Sequence, residues 1–139
     1  TEYTTVVPTE QVKIVFIQGT QDPVVPIEGM HYAFDGDGER EYTWAYSLDD
    51  SVKWWLDRYG VPDAPVHTEL PDTNPYDETK ITRDEYADAD GTVRLVKYVV
   101  EGGGHTWPGG SEYAGSGPVS FDAQASELIW AELKDAAKE

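Results

Sequence analysis

The 139-residue chain has no cysteine, which excludes disulfides, thiolate catalysis and cysteine-ligated metal. Export stays open, because exported proteins need not carry disulfides. No apolar run approaches the roughly 18 residues that span a bilayer, and no basic, apolar, small-residue signal segment opens the chain. Basic residues are scarce. Ten Lys and Arg stand against 27 Asp and Glu, for a net charge of −17. Phosphate backbones would be repelled, so neither a nucleic acid nor a membrane is expected as a partner. Two readings of the acidity stand side by side: an ordinary solubilising surface, or adaptation to high salt, where screening relieves self-repulsion. Internal repeats, linkers and low-complexity tracts are also missing.

What is present suffices for a packed domain. Hydrophobic residues make up 39% of the chain, with five Trp and nine Tyr, so wholesale disorder is not expected and residues 1–139 read as one domain. Residues 1–11 read as a lead-in loop. Val12 to Ile17 is a near-continuous apolar run suited to a buried parallel strand. A turn containing Pro23 and Pro26 ends it, and Phe34 to Glu39 is a glycine-punctuated loop.

Ser47 opens a helix, with Asp49 and Asp50 in its first turn opposing the helix dipole. Leu48, Val52, Trp55, Leu56 and Tyr59 form its apolar face, and Gly60 and Pro62 end it. His67–Leu70 and Ile81–Tyr86 read as short strands. Asp88-Ala89-Asp90-Gly91 then turns the chain into a strand over Val93–Val100. Ser120 or Asp122 is placed to cap a final helix whose apolar side carries Phe121, Ala125, Leu128, Ile129 and Leu133. Strand, helix, strands, helix fits the last portion of an α/β sheet.

Two runs carry chemistry. Gly19-Thr20-Gln21-Asp22-Pro23-Val24-Val25-Pro26 follows the first apolar strand, and Gly102-Gly103-Gly104-His105-Thr106-Trp107-Pro108-Gly109 follows the Val93–Val100 strand. An acid and then a histidine, each just past a strand, is the chain order of the second half of an α/β-hydrolase triad. In acyl transfer a histidine moves the nucleophile's proton while a carboxylate holds its tautomer. Each residue has a plainer reading too: Asp22 as a turn former before proline, His105 as a loop histidine held by backbone groups. The three glycines before His105 point to close backbone approach or unusual dihedrals.

Taken together, the two runs resemble the polyhydroxybutyrate depolymerase and feruloyl/acetylxylan esterase family of α/β-hydrolases. The resemblance extends from about Pro8 to Trp130. It takes in the Trp54/Trp55 helix and the final Ala-Ser-Glu-Leu-Ile-Trp segment. The family opens its acid motif with His-Gly-Thr-x-Asp, and Gln18 replaces that histidine here. Many relatives carry a cysteine after the helix-ending glycine and another before the Asp-Gly turn; Val61 and Ala87–Ala89 stand there instead.

The resemblance implies Asp22 as triad acid, His105 as general base and Trp107 as a wall of the substrate cleft, with core packing an equal alternative for Trp107. It implies no cofactor, an ester substrate, and a secreted or periplasmic location. The nucleophile does not carry over. None of Ser47, Ser51, Ser111, Ser116, Ser120 and Ser126 has glycine at both −2 and +2, and the oxyanion-hole segments are missing as well. The expectation is therefore the C-terminal part of an α/β-hydrolase sheet, a serine carboxylic ester hydrolase without its nucleophile half and inactive alone. A non-catalytic binding or assembly module built from the same fold is the alternative. Without earlier strands the first strand should present an open apolar edge, to be covered by the N-terminal half or by a homo-oligomer.

Other constellations are weaker. Asp35, Asp37 and Glu39 alternate like the start of a calcium loop, but Arg40 and Tyr46 stand where glycine and the closing glutamate belong. His31, His67 and His105 show no ligand spacing, so no metal site is expected. The Tyr and Trp content could suggest a carbohydrate platform, yet most of these residues occupy core-type positions.

Overall fold

A computed structural model describes residues 10–33 and 41–135 of the chain. Its elements are β1 (Ile14–Gly19), β2 (Met30–Ala33), β3 (Glu41–Ala45), α1 (Leu48–Tyr59), β4 (Val66–Glu69), β5 (Lys80–Ala87), β6 (Val93–Glu101) and α2 (Ala125–Leu133). Four strands make one mixed sheet in the order β1-β6-β5-β4, and β2 and β3 pair separately. β1 and β6 run parallel, with Ile14 opposite Leu95 and Gly19 opposite Val100. β5 is antiparallel to both of its neighbours. The architecture is α/β, with one helix on each face of the sheet.

The period-two alternation of β6 assigns those faces. Leu95 and Val99 join Ile14 and Phe16 of β1 in packing against Leu48, Val52 and Leu56 of α1. Val96, Tyr98 and Val100 point the other way, with Val15, Ile17 and Leu128 of α2. A strand apolar on both sides has to lie between two layers, and Leu95 and Val96 are wholly buried. β1 is apolar on both sides too, yet it lies at the sheet edge and Ile14 to Gln18 are only half-buried. The buried strand that its composition suggests is, among the described residues, paired on one side only.

α1 forms as its sequence dictates. The Ser47 hydroxyl accepts from the Asp50 amide, and Gly60 closes the helix at φ 65° with its amide bonded to the Leu56 carbonyl. The β5–β6 turn is likewise local. Asp88 accepts from the Asp90 and Thr92 amides, and Gly91 supplies a positive φ of 83°.

α2 departs from expectation. Its cap position is Gln124, which makes no side-chain cap bond. Ser120 and Asp122 are engaged elsewhere: the Asp122 carboxylate accepts from the Thr73 and Asn74 amides, and the Ser120 hydroxyl from the Asp122 amide. Phe121 lies before the helix and is half-exposed, so it is not on the apolar side. The β2–β3 hairpin was not anticipated from the sequence at all. The Asp35/Asp37/Glu39 motif and the start of the lead-in loop lie outside the described residues. Among the described residues no helix is long and apolar enough to cross a membrane.

The α2 face is fastened by one carboxylate. Glu132 accepts from Lys13 Nζ at 2.7 Å, Arg83 Nε at 2.9 Å and Tyr98 Oη at 2.8 Å, joining α2 to β5, β6 and the approach to β1. Burial by itself would push the Glu132 carboxyl up, but these donors bring it down to about 2. A depressed carboxyl stabilises the fold fully above its ordinary 4.5 and loses that contribution as pH falls through the folded value. Glu132→Gln is therefore expected to cost on the order of 2–3 kcal/mol at neutral pH. Urea midpoints of variant and wild type should converge between about pH 4.5 and pH 2, and a gap that held constant across that range would contradict this account.

Candidate active site

The parallel pairing of β1 and β6 brings two loops out at the same sheet edge, beyond the carboxyl ends of the strands, where α/β folds place their ligands. The loops are stitched together before either reaches its functional residue. The Thr20 amide donates to the Val100 carbonyl at 3.0 Å, the Gln21 amide to the Gly103 carbonyl at 2.8 Å, and the Gly102 amide to Thr20 Oγ1 at 2.9 Å. Such closeness needs glycine. A Cβ on Gly19 would overlap the Gly103 carbonyl, and one on Gly104 would overlap the Ser116 carbonyl. Gly102 holds φ at 75°. Both reasons for glycine apply in this run, dihedral freedom at Gly102 and close approach at Gly104.

At the meeting point His105 Nδ1 and Asp22 Oδ2 are 2.8 Å apart. An ionised carboxylate can only accept, so Nδ1 carries the proton and donates it. The other oxygen, Oδ1, accepts from the Val24 and Val25 amides, each at 2.8 Å. Asp22 is buried, whereas the His105 side chain keeps 40% of its surface exposed. Burial pushes the Asp22 carboxyl up, but the Val25 amide, the His105 imidazole and the Val24 amide together hold it below the ordinary value. With Nδ1 committed to the carboxylate, the lone pair left on the ring is on Nε2. That is the arrangement a general base requires.

His105 is held from its own side too. Its amide donates to the Ser116 carbonyl and its carbonyl accepts from Tyr113 Oη at 3.0 Å. The ring lines an open cleft of about 440 Å³, whose walls include Gln18, Val25, Trp107, Ser111 and Tyr113. Trp107 lies on that wall with 62% of its surface exposed, not in the core.

Ser116, near the histidine in sequence, is buried and donates its hydroxyl to the Gly117 carbonyl, so it is a turn residue. Ser111 reaches the cleft, but no strand-to-helix turn presents it. Tyr113 had no signal in the sequence, since a tyrosine in a glycine-rich loop is unremarkable until its phenol is seen on the His105 carbonyl. His67 lies apart from the cleft and pairs with Asp84 at 2.6 Å. Among the described residues no cluster of three His, Asp or Glu is placed to hold a metal ion.

No family model matches the chain. Over 107 residues, 75% of its length, it is 29% identical to a protein of Nocardia uniformis subsp. tsuyamanensis named "Putative esterase NocK". The match covers 31% of that protein, so the chain spans under a third of the relative it resembles. The similarity is to an esterase-like protein.

Asp22→Asn tests the electrostatics directly. The variant keeps the shape but removes the charge that two amides and an imidazole are arranged around. Its urea midpoint at pH 7 should fall, corresponding to a loss of unfolding free energy on the order of 1–3 kcal/mol. Because the folded carboxyl is depressed, the wild-type advantage is full above 3.8 and fades as pH falls further. If variant and wild type differ equally at neutral and acid pH, charge is not what Asp22 contributes.

Proposed function

We propose that this chain carries the acid and base of a serine-dependent carboxylic ester hydrolase of the α/β-hydrolase class, with its nucleophile supplied by a segment other than these 139 residues. One observation carries the reading: the 2.8 Å contact between Asp22 and His105 at the carboxyl ends of two adjacent parallel strands. The esterase-like relative, three times longer than its matched stretch, is consistent with it. By the resemblance stated above, polyester, feruloyl and acetyl esters are the substrate classes.

In this reading His105 Nε2 takes the proton of an incoming serine hydroxyl as the oxygen attacks the ester carbonyl. Asp22 stabilises the resulting imidazolium and prevents the ring from flipping. The imidazolium returns its proton to the departing alcohol, leaving an acyl-enzyme. His105 then deprotonates a water that releases the acid and restores the serine. Trp107 and Tyr113 would flank the ester on the open side of the cleft. The edge of β1 that is unpaired among the described residues is where the segment bearing the nucleophile, or a second copy of the chain, would add a strand.

The test is complementation. Alone, the chain should hydrolyse p-nitrophenyl acetate no faster than its His105→Ala variant. Co-expressed with the unmatched portion of the Nocardia relative, it should gain turnover and labelling by a serine-reactive phosphonate. His105→Ala or Asp22→Asn should then reduce kcat by about 10⁴-fold. Turnover by the chain alone that His105→Ala abolishes would place a nucleophile within it, and complemented turnover indifferent to His105→Ala would overturn the assignment of the base.

A further inference from the structure

Gln18 is the penultimate residue of β1, and its side chain lines the cleft beside the dyad. Its amide nitrogen donates to the Val25 carbonyl at 2.7 Å and to Asp22 Oδ2 at 3.3 Å. Both neighbours are acceptors only, so the orientation of the amide is fixed: the nitrogen, not the oxygen, faces the carboxylate. Asp22 then accepts four hydrogen bonds, two on Oδ1 from Val24 and Val25 and two on Oδ2 from His105 and Gln18. A carboxylate has about four lone-pair sites, and here every one is assigned.

We propose that Gln18 is a positioning residue for the Asp22–His105 pair. It acts twice. The bond to the Val25 carbonyl closes the turn over residues 22–25, whose amides grip Oδ1. The bond to Oδ2 fixes the remaining rotation of the carboxylate, so that its other in-plane lone pair faces His105 Nδ1. A neutral amide does this without competing for the charge: it has no proton to give up near neutral pH and brings no second ion into a buried site. A carboxylate at the same position would set two negative charges side by side. An apolar side chain of equal length would fill the space and leave the Val25 carbonyl and one lone pair of Asp22 without a donor.

The inference rests on reading Asp22 and His105 as an acid–base pair, but its test needs no turnover. In the unmodified chain, nitrogen-edited NMR should show the two Gln18 side-chain amide protons well separated and exchanging with water more slowly than those of a free glutamine. The His105 Nδ1 proton should appear far downfield. Gln18→Met keeps length and volume but has no donor, and should speed exchange of the Nδ1 proton roughly tenfold. Gln18→Glu at neutral pH should be worse than Gln18→Met, an ordering that a space-filling role would not produce. Gln18 amide protons exchanging at the free rate would overturn the proposal without any variant, as would Gln18→Met and Gln18→Glu spectra that leave the Nδ1 signal unmoved. Loss of the complemented turnover's dependence on His105 would instead remove the catalytic reading and leave these hydrogen bonds standing.

Discussion

The parallel pairing of β1 with β6 is the constraint on which the rest of the site depends. An antiparallel pair would send the two following loops to opposite ends of the sheet, and Asp22 could not reach His105. Parallel pairing delivers both loops to one edge, and the register sets Gly19 opposite Val100, so that they leave at the same height. The price is a long connection, because parallel neighbours cannot be joined by a tight turn. The β2–β3 hairpin, α1, β4 and β5 occupy that connection, and α1 uses it to cover the face that β1 and β6 share.

Charge is handled by local pairing within a strongly acidic chain. A net charge of −17 disfavours any further buried anion, yet Asp22 and Glu132 both lie largely out of solvent. They are stabilised by different means. Glu132 is surrounded by two cations and a phenol from three separate parts of the chain. Asp22 has backbone amides, a side-chain amide and an imidazole instead, with no Lys or Arg hydrogen-bonded to it among the described residues. The distinction matters for chemistry. In the proposed reaction, a permanent cation beside Asp22 would offset the carboxylate's charge and weaken its pull on the imidazolium, whereas neutral dipoles hold the carboxylate and leave its charge directed at the ring.

Local signals in the sequence were legible where one residue type had one physical use. Ser47, the first-turn acids and Gly60 bounded α1, and the Asp-Gly turn placed the β5–β6 hairpin. The pairing of Asp22 with His105 was legible as chain order, because each follows an apolar run that reads as a strand. What escaped was whatever depends on distant partners. Ser120 and Asp122 looked like caps because both are good cap residues, but Asp122 is drawn to amides at residues 73 and 74 that lie nearly fifty positions away. Gln18 showed only as a departure from a motif, and Tyr113 showed nothing, because a hydrogen bond to a backbone carbonyl leaves no pattern in composition or spacing. β1 read as a buried strand because its residues are apolar on both faces, and such a pattern cannot tell whether the sheet continues past it.

The dyad is complete in its own supports even though the proposed reaction is not. Among the described residues, every hydrogen bond on the Asp22 carboxylate comes from residues 18 to 25 or from His105, and the backbone of His105 is held by Tyr113 and Ser116. Under the proposed reading, a nucleophile-bearing segment would find the base already in its productive tautomer and orientation. Its task is then limited to presenting a hydroxyl and the oxyanion donors at the correct distance. Pre-organisation of this kind separates two requirements that a triad normally meets together. Holding His105 against Asp22 depends on two loops at one sheet edge. Under the same reading, activating the ester would fall to a segment docked on the side of β1 that is unpaired among the described residues, where Ile14, Val15, Phe16 and Ile17 alternate between the two faces of the sheet.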